Sequence, residues 1–333
     1  MATGITLDSV LTPGAVEGRL AKQMLTVGAP DLSLEKAIDV TEDQPEKSTR
    51  VVRWARYKAL PISTSTVSEG ITPQAVQMER EEVSASLDQY IGLVQTTDVL
   101  HYFHPDFTIN VATQRLGEQA AQTIETVRFN TFKAGTNKRY ANGAVRTAVN
   151  TAVALDDLRW AERSLSRQLA KMFTNMVQST PDFNTEAILP AYWAYCHSDL
   201  KYDISGITGF VSVKDYGHNI KAEPNEWGSI GNIRFLTSTI FAPYASGGGA
   251  KGSMISTDGT SADVYPILIV GRQAWGSVSF KGKNAIAPFI VAPSHTVADP
   301  AAQRGFIGWV AWTKAVILND SYCAVLEVAA TEL

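Results

Sequence analysis

Two cysteines in 333 residues, Cys196 and Cys323, leave no CxxC spacing and no disulfide framework to read. Each sits among apolar or aromatic neighbours, AYWAYC and SYCAVL, where a free thiol acts as a small buried hydrophobe in a reducing setting. A basic surplus is missing too: Lys and Arg number 29 against 33 Asp and Glu, for a formal charge of −4. Affinity for a phosphate backbone grows with the counterions displaced, so the chain as a whole is no nucleic-acid magnet. No run approaches the ~20 apolar residues of a membrane span. The start, MATGITLDSVLTPG, has no basic region leading into an apolar one, so it does not read as a signal peptide. These absences predict a protein made in a cytoplasm that stays soluble or leaves it in an assembled form.

Signatures of chemistry are equally scarce. The loop GGGAKGS, Gly247 to Ser253, departs from a phosphate loop because Gly252 separates Lys251 from Ser253 and no helical pattern follows. It reads as a flexible surface loop. Of the five histidines, His101 and His104 lie three apart with Asp106 nearby, but no Cys-His or HExxH pattern completes a metal set. CHSDL, residues 196–200, sets Cys, His and Asp side by side, yet triads are assembled by the fold from distant positions. No GxSxG elbow or GxGxxG cradle occurs. The expectation is no catalytic residue, no cofactor and no metal; a hydrolase using His197 or His104 is the enzyme-class rival.

With 45% hydrophobic and 19% charged residues, the chain suits one large or two modest domains. No repeat of 20–50 residues is visible. Residues 1–49 are thin in aromatics and carry DVTEDQPEKSTR, which reads equally as an extended arm or a disordered tail. From Arg50, RVVRWARYKAL alternates as a strand, with Val52, Trp54 and Arg56 on one side. PISTSTVSEGITP makes a tip, and a second β-like stretch runs from Val76 to Val94. A two-stranded hairpin is marginal alone, so this one must lie on something. Its aromatic and basic residues suit a nucleic-acid platform or a protein contact; EREE, Glu79 to Glu82, favours the protein.

A long helix follows from HPDFT, with Pro105 and Asp106 at its start and Leu116, Ala120, Ile124 and Val127 on one face. Its length of about 30 residues exceeds the usual range, and its narrow apolar stripe predicts a bridge between units. A second helix, about 155–176, carries Leu155, Leu158, Leu165, Leu169, Met172 and Met176 on one stripe. Arg159, Arg163, Arg167 and Lys171 recur every fourth residue on another face. That stripe serves an anionic partner, on an inner surface or between subunits, or else a solvated face; the pattern leans to the latter. Beyond Pro190 the chain is mixed α/β, with AYWAYC, GNIRFLTST and DVYPILIVG as strands and two closing strands around Asn319-Asp320.

The order of arm, unsupported hairpin, long helix, mixed domain and terminal β return resembles the Hong Kong 97 (HK-97) fold of tailed-bacteriophage major capsid proteins, phage N4-like branch. The likeness is carried by RWARYKAL (53–60), SEGITP (68–73), LGEQAAQTIE with FNTFKAGTN and YANG (116–143), EWGSIGNIRFLTS (226–238) and the strand WGSVSF from Trp275. It extends from about residue 50 to the C-terminus.

The resemblance implies an α+β, HK-97-like capsid fold. Residues 1–49 are the N-terminal arm and 50–100 the E-loop hairpin. The P domain spans 101–189, with a spine helix at about 105–134 and the second helix at about 155–176. The A domain spans 190–310, and 311–333 return to the P domain. Copies form hexamers and pentamers of an icosahedral virion shell, made in the host cytoplasm and enclosing double-stranded DNA bound non-specifically. Subunit contacts are expected from Trp54, Arg56, Tyr57, Glu69, Gly70 and Met78 on the E-loop, and from Leu116, Ile124 and Val127 on the spine helix. A portal, a separate scaffolding protein and a decoration protein are the implied partners; no membrane is. The Gly-rich stretch 246–263 stands outside the likeness as an exposed insertion, and no Lys-Asn pair for cross-linking is picked out. An encapsulin-type shell around a protein cargo shares the fold and is the alternative.

Overall fold

The computed structural model describes residues 32–333 apart from 46, 59, 65, 67–69, 71, 73, 74, 98–108, 174–189, 217–222, 224, 281–285, 292–294 and 296–299. After a 3-10 turn at Leu34–Ala37 come β1 (Ile38–Gln44), β2 (Val51–Tyr57), β3 (Arg80–Ser86) and β4 (Asp88–Thr97). The long helix α1 (Ile109–Phe132) leads through β5 (Lys138–Tyr140) to α2 (Leu155–Arg167). The rest is β6 (Tyr192–His197), short α3 (Lys201–Ser205), β7 (Phe210–Ser212), β8 (Glu226–Ile230), β9 (Ile233–Ser238), β10 (Tyr265–Val270), β11 (Trp275–Phe280), β12 (Ala287–Val291), β13 (Arg304–Ile317) and β14 (Cys323–Val328).

Seven strands form one sheet in the order β5-β14-β10-β6-β9-β8-β7. Its central strands are apolar on both faces because both faces are covered. On β6, Tyr192, Ala194 and Cys196 point toward Leu158, Ala161 and Leu165 of α2. The alternate residues Trp193 and Tyr195 point into a second core with Phe129 and Phe132 of α1. AYWAYC, GNIRFLTST and DVYPILIVG thus take the buried strand positions that their apolar runs predict.

A second sheet runs β1-β11-β13-β12, with β4 paired along β13 from Asp88↔Thr313 to Thr97↔Arg304. Helix α1 lies on one face of it, burying Leu116, Ala120 and Ile124 against Ile307, Trp309 and Ala311. The helix is thin in bulk but close. A Cβ on Gly92 of β4 would stand 2.4 Å from the Trp309 indole nitrogen and 2.7 Å from the Gln119 amide oxygen, so only glycine fits there. Phe132 stacks on Trp275 with ring centres 4.0 Å apart, tying β11 and α1 into the core that they share with the seven-stranded sheet.

Several expectations change. The arm contributes a strand: Ile38–Gln44 pair in parallel with β11. The second hairpin strand, read as continuous from Val76 to Val94, breaks at Leu87 into β3 and β4, which join different sheets. Helix α2 ends at Arg167, nine residues short of the expected 176. Leu169 adopts the left-handed conformation (φ 58°), and the Ala170 N–H bonds back to the Leu165 carbonyl at 3.1 Å. That is a helix-ending turn with leucine where glycine is usual. A division at residue 310 also cuts across the sheets, since β11 and β12 belong with β13 while β14 lies inside the other sheet.

Candidate assembly surfaces

The ribbon β2–β3 pairs from Val51↔Ser86 to Tyr57↔Arg80 and is a sheet of its own. Its base rests on the chain's own body, where Val52, Leu87 and Val278 are buried with Trp54, Phe280 and Trp312 around them. Arg50 secures the bend: its backbone carbonyl accepts the Leu87 N–H at 3.1 Å, and its Nε donates to the Leu87 carbonyl at 2.5 Å. Asp88 next in line takes Lys314 at 2.8 Å and Arg50 at 3.3 Å. The Lys314 hydrogen bond, with its charge, holds that carboxyl below the ordinary carboxylate range.

Farther out the ribbon carries exposed ion pairs, Arg56–Glu81 at 2.7 Å, Lys58–Glu79 at 2.8 Å and Arg80–Glu82 at 2.9 Å. Such solvent-screened pairs add little to stability. Toward the tip, Tyr57, Leu60, Val76 and Met78 are exposed and Ile62 is 91% exposed. Gly70 turns with φ 81°, a conformation that favours glycine. Glu69 lies outside the described residues. Trp54 is half-buried in the cluster at the ribbon base, so of the expected contact residues Arg56, Tyr57, Gly70 and Met78 offer the freer surface.

A second unpaired surface escaped the sequence reading. On β4, Ile91 and Leu93 face away from α1 and are exposed, opposite Val310 and Gly308 of β13. Phe289 on β12 and Phe306 on β13 continue that face and are half-buried. The helix expectation, in contrast, is corrected. Leu116 and Ile124 are 2% and 3% exposed beneath the chain's own strands, so they cannot meet a neighbouring subunit; Val127 is half-buried. Phe129 and Phe132, visible in FNTF but not counted, supply the missing bulk of that helix.

Arg159, Arg163 and Arg167 do share a face of α2 and are exposed, with Arg159 3.7 Å from Asp156. Lys171 follows the end of the helix and falls out of that register. Met176, His101, His104 and His218 lie outside the described residues.

Among the described residues the chemistry-bearing side chains do structural work. The Cys196 thiol is buried and pushed up to about 12 by desolvation, as is that of Cys323. His197 uses Nδ1 to accept the Asp199 N–H at 3.2 Å, capping a 3-10 turn, while Asp199 accepts the Tyr265 hydroxyl at 2.9 Å. The Gly-rich stretch is built rather than loose. Buried Asp263 accepts Ser246 N–H at 2.6 Å and Thr257 N–H at 3.1 Å, and Gly248 lies so near Val149 that a Cβ would be 2.2 Å from its carbonyl oxygen. Among the described residues no cluster of three metal-ligating side chains occurs, and no helix is long and apolar enough to cross a membrane.

Residues 80–313 match the family model described as phage capsid protein. Comparison with curated proteins finds no match. Among solved structures, the capsid of Ralstonia phage GP4 is similar at 12% identity and a TM-score of 0.64, over 88% of this chain and 87% of that one. The cyanophage Pam1 capsid asymmetric unit is similar at 11% identity and a TM-score of 0.61, over 90% and 92%. The holo-SrpI encapsulin complex of Synechococcus elongatus PCC 7942 is similar at 9% identity and a TM-score of 0.53, over 90% and 88%.

Proposed function

The chain belongs to the phage capsid protein family, and from that premise we propose how its surfaces build a shell: the ribbon β2–β3 is an E-loop that reaches over the adjacent subunit within hexamers and pentamers. The observation that carries this is the ribbon itself, held at its base by Val52, Leu87 and Val278 but bearing Leu60, Ile62, Val76 and Met78 in the open toward its tip. Exposed apolar groups of that kind are satisfied by burial in an interface, and obligate interfaces bury roughly 2,000–5,000 Å² in all. The exposed arginines of α2 and the overall charge of −4 fit a wall that meets packaged double-stranded DNA without gripping it.

In this reading the arm and α1 belong to a peripheral domain that takes in β4, β11, β12 and β13. The seven-stranded sheet with α2 makes the axial domain near the capsomer centre. Placement in the phage N4-like branch rests on the sequence likeness of residues 53–60, 68–73, 116–143 and 226–238 and of the strand from Trp275. A portal, a separate scaffold and a decoration protein complete the proposed partners.

Removal of Glu69 to Gln74 at the ribbon tip tests the assignment. Subunits should fold with unchanged circular dichroism but fail to form closed shells by negative-stain electron microscopy and sedimentation. Particles indistinguishable from wild type would remove the ribbon from the assembly contact. The encapsulin likeness keeps a cargo compartment as the second reading; nuclease-protected DNA inside purified particles supports a virion, and a co-purifying protein cargo supports the compartment.

A further inference from the structure

A buried charge cluster lies apart from these surfaces, where the arm meets α1. Glu125 is fully buried. One of its oxygens, Oε1, accepts the Ser33 N–H at 3.0 Å, the Ser33 hydroxyl at 2.8 Å and the Leu34 N–H at 2.8 Å. It thereby caps the 3-10 turn at Leu34–Ala37, for which Ser33 makes no side-chain cap of its own. The other oxygen, Oε2, is buried with no hydrogen-bond partner among the described residues. Arg128, one turn along α1, is also buried; its Nε and Nη1 make no hydrogen bond, and it stands 3.7 Å from Glu35 of the arm. On β6 the Tyr195 hydroxyl, which feels the Glu125 charge, is also buried and unpartnered among the described residues.

We propose that Glu125 is a proton-operated latch for the N-terminal arm, holding residues 33–44 against α1 and β11 most firmly when its carboxyl group is protonated. A carboxylate shares its charge over two oxygens, and each needs donors when water is excluded. Here every donor falls on Oε1. A proton on Oε2 removes the unsolvated charge and leaves Oε1 free to hold Ser33 and Leu34.

Desolvation accordingly raises the Glu125 pKa above the ordinary carboxylate value, partly opposed by the Leu34 and Ser33 hydrogen bonds and by Arg128. Around it stand Arg128 on its own helix, Glu35 on the arm and Tyr195 on β6, which in turn feels Glu223 and Asp39. The sign follows. With the arm detached, Glu125 faces water and titrates in the usual range; docked, it binds its proton to higher pH. The stabilisation of docking is therefore complete below the ordinary carboxylate value and is lost as pH rises through the raised one.

Hydrogen exchange of the full-length chain, read at residues 33–44 and corrected for intrinsic rates, tests this from about pH 4.5 to about pH 8. Wild-type protection should fall about tenfold per unit by which docking raises the Glu125 pKa. Glu125→Gln, a neutral group that keeps the acceptor oxygen, should stay protected across the range, and Glu125→Ala should be unprotected throughout. Glu35→Gln should retain the wild-type slope, which separates the latch from the other acid beside Arg128. Wild-type protection that is flat or rises with pH, or a slope that survives Glu125→Gln, overturns the proposal.

Discussion

The two sheets are finished to different degrees. The seven-stranded sheet has α2 on one face and the shared aromatic core on the other, and even its charges are closed: buried Glu327 receives Arg146 in a bidentate pair at 2.6 and 2.7 Å while the guanidinium stacks on Tyr244. The sheet under α1 is covered on its helix side but presents Ile91 and Leu93 on the other, and it carries a ribbon anchored only at its base. One region is complete as a monomer. The other leaves apolar side chains exposed, the kind of surface that the proposed shell would bury.

The largest blow to that contrast comes from Trp275→Ala. The ring belongs to β11, yet it stacks on Phe132 in the core common to both sheets. Its loss leaves a cavity and should cost about 3–5 kcal/mol. A single urea transition moved to lower denaturant means that the two regions fold as one unit. Two separated transitions would mean that the finished sheet stands without the other, and the contrast would extend to folding itself.

How much of this could be read from residues alone depends on which surface each residue answers to. The apolar runs of β6, β9 and β10 are legible because such strands are buried on both faces, and burial on both faces leaves no alternation to miss. Helix α1 was legible as a helix but not in its role. Ala120 lets it approach β13 closely, so Leu116 and Ile124 find cover at home. The end of α2 was hidden for a different reason: its apolar period continues through Leu169 and Met172, and no glycine marks the left-handed turn that Leu169 makes. Ile91 and Leu93 escaped because alternation along β4 says only that two faces differ. The bare one is known once Trp309 and α1 have taken the other.

A smaller and more local effect is expected at Gly92. An added methyl would press on Trp309 and Gln119, whose side chains hydrogen-bond at 3.3 Å, and α1 must lift from β4 to admit it. Gly92→Ala should cost about 1–3 kcal/mol. Amide exchange should quicken in β4 and the first half of α1 while β6, β10 and β14 keep their protection. Equal loosening of both sheets would show that the boundary drawn between them carries no energetic weight.

The smallest change in subunit stability should come with the largest change in assembly. Replacing Ile91 and Leu93 together by serine alters side chains that are 53% and 55% exposed. Exposed substitutions away from caps and charges shift stability by about 0.5 kcal/mol or less. The urea midpoint of the dispersed subunit should therefore hold, while shell yield by sedimentation should drop, as expected of an exposed apolar face that a neighbouring copy would cover in the proposed shell. Unchanged shells with an unchanged midpoint would leave the ribbon tip as the sole apolar contact among those described. A clear loss of subunit stability would mean that this face is already covered within the chain, and the difference between the two sheets would lie in the ribbon alone.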